Sequence, residues 1–587
     1  MPPSTAQPNI LWLVSEDNSR YLGCYGDPVA HTPRLDALAA EGIRYDQAYA
    51  VAPVCAPSRF SIITGMYPWS VPGAEHMRAN VDLPPHVHPF TAYLRQVGYY
   101  CTNASKTDYN AKVSIEAAWD QCSEDAHWRD RAPGQPFFSV VNFMETHESC
   151  LFDGHDQTDT DPGSVRVPAY LPDTATVRAD LAHYYDHMSR LDDQIGTVLD
   201  EIERDGLSED TIVVYYADHG GVQPRSKRFC YDSGLAVPLL VHVPERWRAH
   251  AAADPGPSAE AITLMDLPAT VLSLAGIRPP DHLHGRAALG PHRRPAPTLV
   301  FGGRSRMDER YDLQRTVRDH RFRYLRNYQP CLPAGQHLGY MWQQQSVQEW
   351  EELARTGDLP AVQRTFWEHK HAEALYDLQA DPDEVHNLAG DPRHADIRDR
   401  LSASLDDHMR EVGDTGFLLE GSFEPLGDGD LGTLMTLAAT VARHEPVPSG
   451  EHATHPHSAI RAWAARAAQA ALTCPEHPGI DAALREEHQR TLELLVHDPV
   501  PGIRIIALEA VADEAAIGHL IALLGHDDEP VRLQSANALD RLAERGRIPT
   551  SLTDRLTAAL TAPTATQDRY LPRIAEHMSR HLGAAGA

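Results

Sequence analysis

The chain has 587 residues, 42% of them hydrophobic, and a formal net charge of −30 from 52 Lys plus Arg against 82 Asp plus Glu. That length exceeds one ordinary core, so two or three domains are expected. So acidic a surface disfavours a nucleic-acid or anionic-membrane partner. Eight cysteines at irregular spacing, with no C-x-x-C pair, give neither a disulfide framework nor a zinc site and suit a reducing compartment.

The first eight residues, Met1 to Pro8, have no basic region followed by an apolar one, and no later segment has the apolar length of a membrane span. The expectation is a soluble, cytoplasmic protein. Asn9 to Val14 is a continuous apolar run that reads as a strand buried on both faces and delivers Glu16 and Asp17 at its end. Cys55-Ala56-Pro57-Ser58-Arg59, continued by Phe60 to Thr64 and closed by Gly65 and Pro68, reads as a short helix entered through Pro57. Arg59 lies four residues after Cys55, so both project to one side. The helix start offers N–H groups and a positive dipole end that suit an anion.

Lys106 follows in Ser105-Lys106-Thr107-Asp108. A second apolar run, Pro136 to Phe143, leads to Glu145, Thr146 and His147, and a third, Thr211 to Tyr216, leads to Asp218-His219-Gly220, with a helical pattern from Leu181 to Ile202 between them. Alternating strands and helices predict an α/β fold, whose ligand site lies beyond the carboxyl ends of the strands, where all three polar clusters fall. The acidic pair and the Asp-His pair make an oxygen-rich cage for a hard divalent cation. A chain this acidic must concentrate its cations locally to hold an anion, which singles out Arg59, Lys106 and Lys227. His147 can hold or release a proton near neutral pH.

Pro255 to Ser258 and Pro279 to Pro297 read as connections. After about residue 435 the chain turns to Ala- and Leu-rich helices. Ile460-Arg461, Ile503-Arg504 and Val531-Arg532 open helices with small residues at matching offsets, and His497-Asp498-Pro499 aligns with His526-Asp527-Asp528. This resembles HEAT repeats, with a plain helical bundle as the alternative. Either way the region is an all-α appendage that binds a partner, dimerises, or shapes one wall of the cleft.

The Cys55–Arg59 pentapeptide with its flanks resembles the signature of the sulfatase family, within the alkaline phosphatase superfamily. The resemblance implies that a formylglycine-generating enzyme oxidises Cys55 to formylglycine, whose hydrate attacks the sulfur of a sulfate ester or sulfamate and later expels sulfate. It implies Ca²⁺, or Mg²⁺, held by Glu16, Asp17, Asp218 and His219, with Glu16 where Asp is more usual. Lys227, ahead of Tyr231 to Pro238, matches the sulfate-binding lysine. Lys106 falls where many sulfatases carry Gly-Lys-Trp-His, but Asp108 stands in place of that histidine, so His147 becomes the candidate to protonate the leaving group.

The implied architecture is a large mixed, mostly parallel sheet flanked by helices over residues 1–290, a smaller α+β C-terminal subdomain over 291–435 that includes Leu375 to Leu388, and the helical repeats over 436–587. Segments such as Gly73 to Arg78, Ser105 to Asn110 and Arg304 to Arg310 resemble the heparan N-sulfatase branch, which makes His76, Arg78, Arg306 and Asp308 candidate contacts to a saccharide substrate. Two rival readings are a phosphonate monoester or phosphodiester hydrolase of the same superfamily, and a non-catalytic protein that binds a partner or a second copy through its helical repeats.

Overall fold

The computed structural model describes residues 7–153, 157–252, 254–427, 429–475, 477 and 479–582; Met1 to Ala6 of the N-terminal reading lie outside them. Among the described residues there are twelve strands: β1 (Asn9–Ser15), β2 (Ile43–Tyr49), β3 (Tyr100–Ala104), β4 (Gln121–Cys122), β5 (Phe137–Phe143), β6 (Thr211–Ala217), β7 (Leu239–His242), β8 (Gly256–Thr263), β9 (Val300–Arg304), β10 (Gln314–Arg318), β11 (Phe322–Asn327) and β12 (Glu373–Asp377). The first eight form one sheet in the order β4-β3-β5-β1-β6-β7-β2-β8. All its pairings are parallel except those of β7, which runs antiparallel to both β6 and β2.

The apolar runs are continuous because the sheet is covered on both faces. Along β1, Ile10, Trp12 and Val14 enter one core with Phe138, Val140 and Val214. Leu11 and Leu13 enter the opposite core with Tyr184, Met188 and Tyr215. Trp12 meets Phe138 and Tyr216 edge-on at 4.9 and 5.3 Å, the geometry aromatic quadrupoles favour. Truncating so large a buried ring costs about 3–5 kcal/mol.

The register of this sheet positions the polar clusters. Ser15 pairs with both Phe143 and Ala217, so the next residues of all three chains emerge together at the carboxyl edge. The ladder runs one step further, with Glu16 N–H donating to the Phe143 carbonyl and Asp218 N–H to the Ser15 carbonyl, each at 3.2 Å. Asp17 then turns with φ of 44°, a left-handed conformation that Asp tolerates better than most side chains.

The smaller sheet is antiparallel, in the order β12-β11-β10-β9, with the helix Ala395–Val412 packed on β10 and β11. Eight longer helices follow, from Asp430–Ala442 to Leu571–Leu582. Ser458–Thr473 packs on both Ala482–Leu495 and Pro501–Val511, and the latter packs on Glu529–Glu544. One apolar core crosses residue 435, joining Val317, Tyr324 and Leu405 to Leu437 and Trp463. The appendage therefore shares a core with the subdomain that precedes it.

One expectation is corrected. Cys331 and Cys474 form a disulfide with their Cα atoms 5.6 Å apart, and the remaining six cysteines are free. The bridge spans 143 residues and ties the subdomain to the appendage, so no short spacing announces it. Among the described residues no helix is long and apolar enough to cross a membrane.

Candidate active site

The helix Cys55–Thr64 is buried along all ten of its residues. It begins after an extended Val54 with no side chain capping it, and it ends at Gly65, whose φ is +69° and whose N–H donates to the Ser61 carbonyl at 2.8 Å. Glycine is required here twice over, since a Cβ would also lie 2.7 Å from Leu283. Ser58 Oγ donates to the Asp218 carbonyl, which fastens the first turn of the helix to the end of β6.

Cys55 is 3% exposed, with Sγ 3.4 Å from His219 Nε2, 3.6 Å from Glu16 Oε2 and 3.7 Å from Asp17 Oδ1. Burial pushes its thiol well above the ordinary value, against the opposing pull of Lys227 and Lys106. A thiol kept neutral this way is a poor nucleophile as it stands.

Arg59 is the clamp of the site. Its Nε donates to Asp218 Oδ2 at 3.0 Å, Nη1 to Asn142 Oδ1 at 3.0 Å, and Nη2 to Glu16 Oε1. Lys106 Nζ holds the other Glu16 oxygen. Lys227 Nζ lies 2.6 Å from Asp17 Oδ2, 3.3 Å from Glu148 Oε2 and 3.4 Å from His147 Nε2. Burial alone would raise the carboxyls of Asp17, Asp218 and Glu148; Lys227 and His219 outweigh it at Asp17, Arg59 at Asp218, and Arg228 and Lys227 at Glu148, so all three stay below the usual range. Each depressed group adds stability that is present above its unfolded value near pH 4 and is lost as pH falls through its folded one.

His219 carries the observation that bears on a metal. Its Nδ1 lies 3.0 Å from the Gly220 carbonyl, a contact that places a proton on Nδ1. Its Nε2 faces Asp17 Oδ1 at 2.8 Å, an approach that a proton on Nε2 or a cation between the two satisfies. Ligand atoms of Asp17, Asp218, His219 and Cys55 lie within 4.8 Å of one another, a mostly oxygen and imidazole set that fits a hard divalent ion.

The other sequence candidates divide. Glu16 groups with Cys55 and His147 rather than with Asp17 and Asp218, and both its oxygens are taken by Arg59 and Lys106. Asp308 accepts from Arg228 Nε at 2.7 Å, and exposed Arg78 lies within the electrostatic reach of Asp308 and Cys55. His76 and Arg306 are turned elsewhere. Arg306 is held in a fork by Glu420 at 2.8 Å on each arm and lies 5.2 Å over the Tyr570 ring of the appendage, and its backbone N–H donates to His76 Nδ1 at 3.1 Å, so both sit where the subdomain meets the appendage. Sequence reasoning missed Asn142, Glu148 and Arg228. Asn142 interrupts an otherwise apolar strand next to its end, a signal that was present. Glu148 and Arg228 stand beside His147 and Lys227, and nothing local marks their pairing through 2.6 and 2.9 Å bonds.

A family profile, Sulfatase, matches residues 8–114 and 102–277. An ulvan-active sulfatase of Formosa agariphila is 36% identical over 463 residues, covering 70% of this chain and 76% of that protein. The chain belongs to the sulfatase family. The human N-sulphoglucosamine sulphohydrolase is 28% identical over 475 residues, covering 68% of this sulfatase and 89% of the human protein. A solved structure in complex with its substrate D-glucosamine-2-N,6-O-disulfate superposes with a TM-score of 0.51 at 17% identity, over 70% of this sulfatase and 98% of that chain. The phosphonate monoester hydrolase of Agrobacterium radiobacter superposes with a TM-score of 0.51 at 15% identity, over 69% and 96%. At these identities the superpositions establish the shared fold.

Proposed function

We propose that this sulfatase hydrolyses sulfated sugars, N-sulfoglucosamine-type substrates among them, after conversion of Cys55 to formylglycine. The observation that carries the reading is a deeply buried, neutral Cys55 thiol at the start of a helix, ringed by Asp17, Asp218 and His219, with Lys227 bonded to Asp17 and Lys106 to the neighbouring Glu16. Such a thiol is badly placed to act as a thiolate and well placed to become something else. Its aldehyde hydrate would supply one oxygen to attack sulfur and a second to release sulfate. A divalent cation, Ca²⁺ or Mg²⁺, at Asp17, Asp218 and His219 would offset charge on the sulfuryl oxygens. The relatives that act on sulfated glucosamine and ulvan favour a sugar, and the phosphonate hydrolase remains the second reading because it shares the fold.

The roles of the chain's own groups follow from position. Lys227 and Lys106 are the cations nearest the thiol that an arriving sulfuryl group can share with Asp17 and Glu16. Arg59 holds Glu16, Asp218 and Asn142 rigid while that exchange occurs, so the charged cradle is organised before the substrate enters. His147 Nε2, 3.4 Å from the Lys227 ammonium, is the proton donor toward the departing oxygen or nitrogen. Burial and Lys227 hold it below its ordinary value, and the negative charge of an incoming sulfuryl group opposes that bias.

The test is intact-mass spectrometry of protein made beside a formylglycine-generating enzyme, where conversion at residue 55 removes about 18 Da, together with desulfation assays on N-sulfated and O-sulfated sugars and on paired aryl sulfate and aryl phosphonate esters. Active protein carrying an unaltered thiol would overturn the mechanism. Faster phosphonate than sulfate cleavage would transfer the assignment to the second reading.

A further inference from the structure

The last helix of the appendage, Leu571–Leu582, meets the Asp308–Glu309 loop and Tyr340 through Arg573. It is fixed there by a buried polar seam. Arg310 donates to Asp540 at 2.6 Å and to Asn537 at 2.9 Å, Asn537 donates to the Glu309 carbonyl at 2.8 Å, and His577 stacks on His337 with ring centres 4.1 Å apart. Glu309 and Arg310 directly follow Asp308, so the seam locks the appendage to the loop that carries this residue.

Arg573 projects from that helix toward the cleft. Its guanidinium lies 5.5 Å above the Tyr340 ring, with Nη1 3.6 Å from Asp308 Oδ1 and 3.5 Å from Glu309 Oε2. Gly339 makes the approach feasible, since a Cβ there would lie 3.0 Å from Arg573 Cβ. Tyr340 in turn sits 6.3 Å from the His147 ring and 5.0 Å from Phe152. From Asp308 the contacts continue through Arg228 and Glu148 to Lys227. Arg573, 29% exposed, thus stands one residue beyond the proposed proton donor, with exposed Arg78 also at this rim.

We propose that Arg573 and Arg78, with the faces of Tyr340 and Phe152, form a leaving-group subsite for a saccharide that bears a second anionic group, a carboxylate or another sulfate, beside the sulfuryl group being cleaved. This rests on the sulfated-sugar reading and deepens it. Asp308 and Glu309 reach only Nη1 of Arg573, at 3.6 and 3.5 Å, and the other oxygen of each is engaged, by Arg228 and by the Gly339 N–H. A planar guanidinium with two long contacts on one nitrogen and an aromatic beneath it keeps its remaining N–H groups for a fork of charge-assisted bonds to an incoming anion. The appendage then acts as one wall of the catalytic cleft and sets the substrate's charge.

Binding separates this from the chemistry. Calorimetry on the Cys55→Ala protein compares N-sulfoglucosamine, glucosamine N,6-O-disulfate and a uronate-linked N-sulfoglucosamine disaccharide. One or both of the sugars with a second anion should bind about tenfold more tightly than the first, the scale of one charge-assisted contact. Arg573→Gln in that background should abolish the preference, and Arg573→Lys should retain part of it. Whichever of the two dianions loses its advantage identifies the group recognised. Equal affinity for all three sugars, no binding of any, or a uniform loss in Arg573→Gln overturns the proposal. Turnover by the Cys55 protein is scored separately, so loss of desulfation with Arg573-dependent binding intact would sink the catalytic reading and leave the subsite standing.

Discussion

Two regions of this molecule bury charge densely, and they do so in different ways. Around the junction of subdomain and appendage each carboxylate takes a single guanidinium: Glu420 that of Arg306 within the subdomain, Glu509 that of Arg541 within the appendage, and Asp540 that of Arg310 across the junction, with His577 beside it. At the carboxyl edge of the large sheet, carboxylates are shared. Glu16 serves two cations, Asp17 serves Lys227 and His219, and a thiol sits among them. One guanidinium for each carboxylate makes an adhesive joint, whereas Glu16 split between Arg59 and Lys106 and Asp17 held by Lys227 leave lysine bonds that a substrate can take over. Buried charge alone therefore does not mark an active centre; the way partners are distributed does.

The sharpest way to break this comparison is at the thiol. Cys55→Ala should lower turnover of an aryl sulfate by at least about 10⁴-fold, as loss of a covalent nucleophile does, with a melting temperature matching the parent protein. Appreciable residual activity would place the nucleophile elsewhere. Removing one partner from the adhesive joint should do the reverse. Arg306→Ala leaves Glu420 buried without its fork and should cost about 3–5 kcal/mol of stability by denaturant titration, while kcat/KM of the folded fraction on a small aryl sulfate stays within about threefold. A catalytic collapse with stability intact would return Arg306 to the substrate site.

At the shared centre, Lys227→Ala should reduce kcat/KM by about 10²-fold, the scale of one preorganised charged donor. It should also raise the Asp17 carboxyl toward its ordinary range, readable as a shift of the acid unfolding limb to higher pH. The smallest effect concerns His147. Because its value lies below the ordinary 6.5, the protonated form in the free enzyme is confined to acid solution, and kcat/KM should fall by up to about tenfold per pH unit above that point. His147→Gln should flatten this limb, and an unchanged profile would move the proton donor to another group.

The sequence made much of the candidate site legible because local rules generate it. A strand buried on both faces reads as an unbroken apolar run, its end is where polar residues begin, and a parallel register brings such ends together, which is how Asp17 and Asp218 come within reach of Cys55. Where the sequence was silent, the determining partner lay far along the chain. Arg306 and Glu420 are 114 residues apart, Arg310 and Asp540 are 230 apart, and the two bridged cysteines are 143 apart. His76 and Arg306 looked like substrate contacts because their motifs resemble a family branch, and tertiary pairing drew them into the seam. Arg573 lies in a stretch with no local signature, and only packing brings it to Asp308.

The helix that opens with Cys55 has a consequence for how this protein is made. All ten of its residues are buried, so a maturation enzyme that must grip the peptide around the cysteine finds nothing to hold once the domain has closed. On the proposed chemistry, oxidation belongs to the extended chain leaving the ribosome, and the yield of competent molecules is decided by a race between that oxidation and folding. A molecule that wins the fold first is sealed with its sulfur still in place, sound in structure and permanently idle.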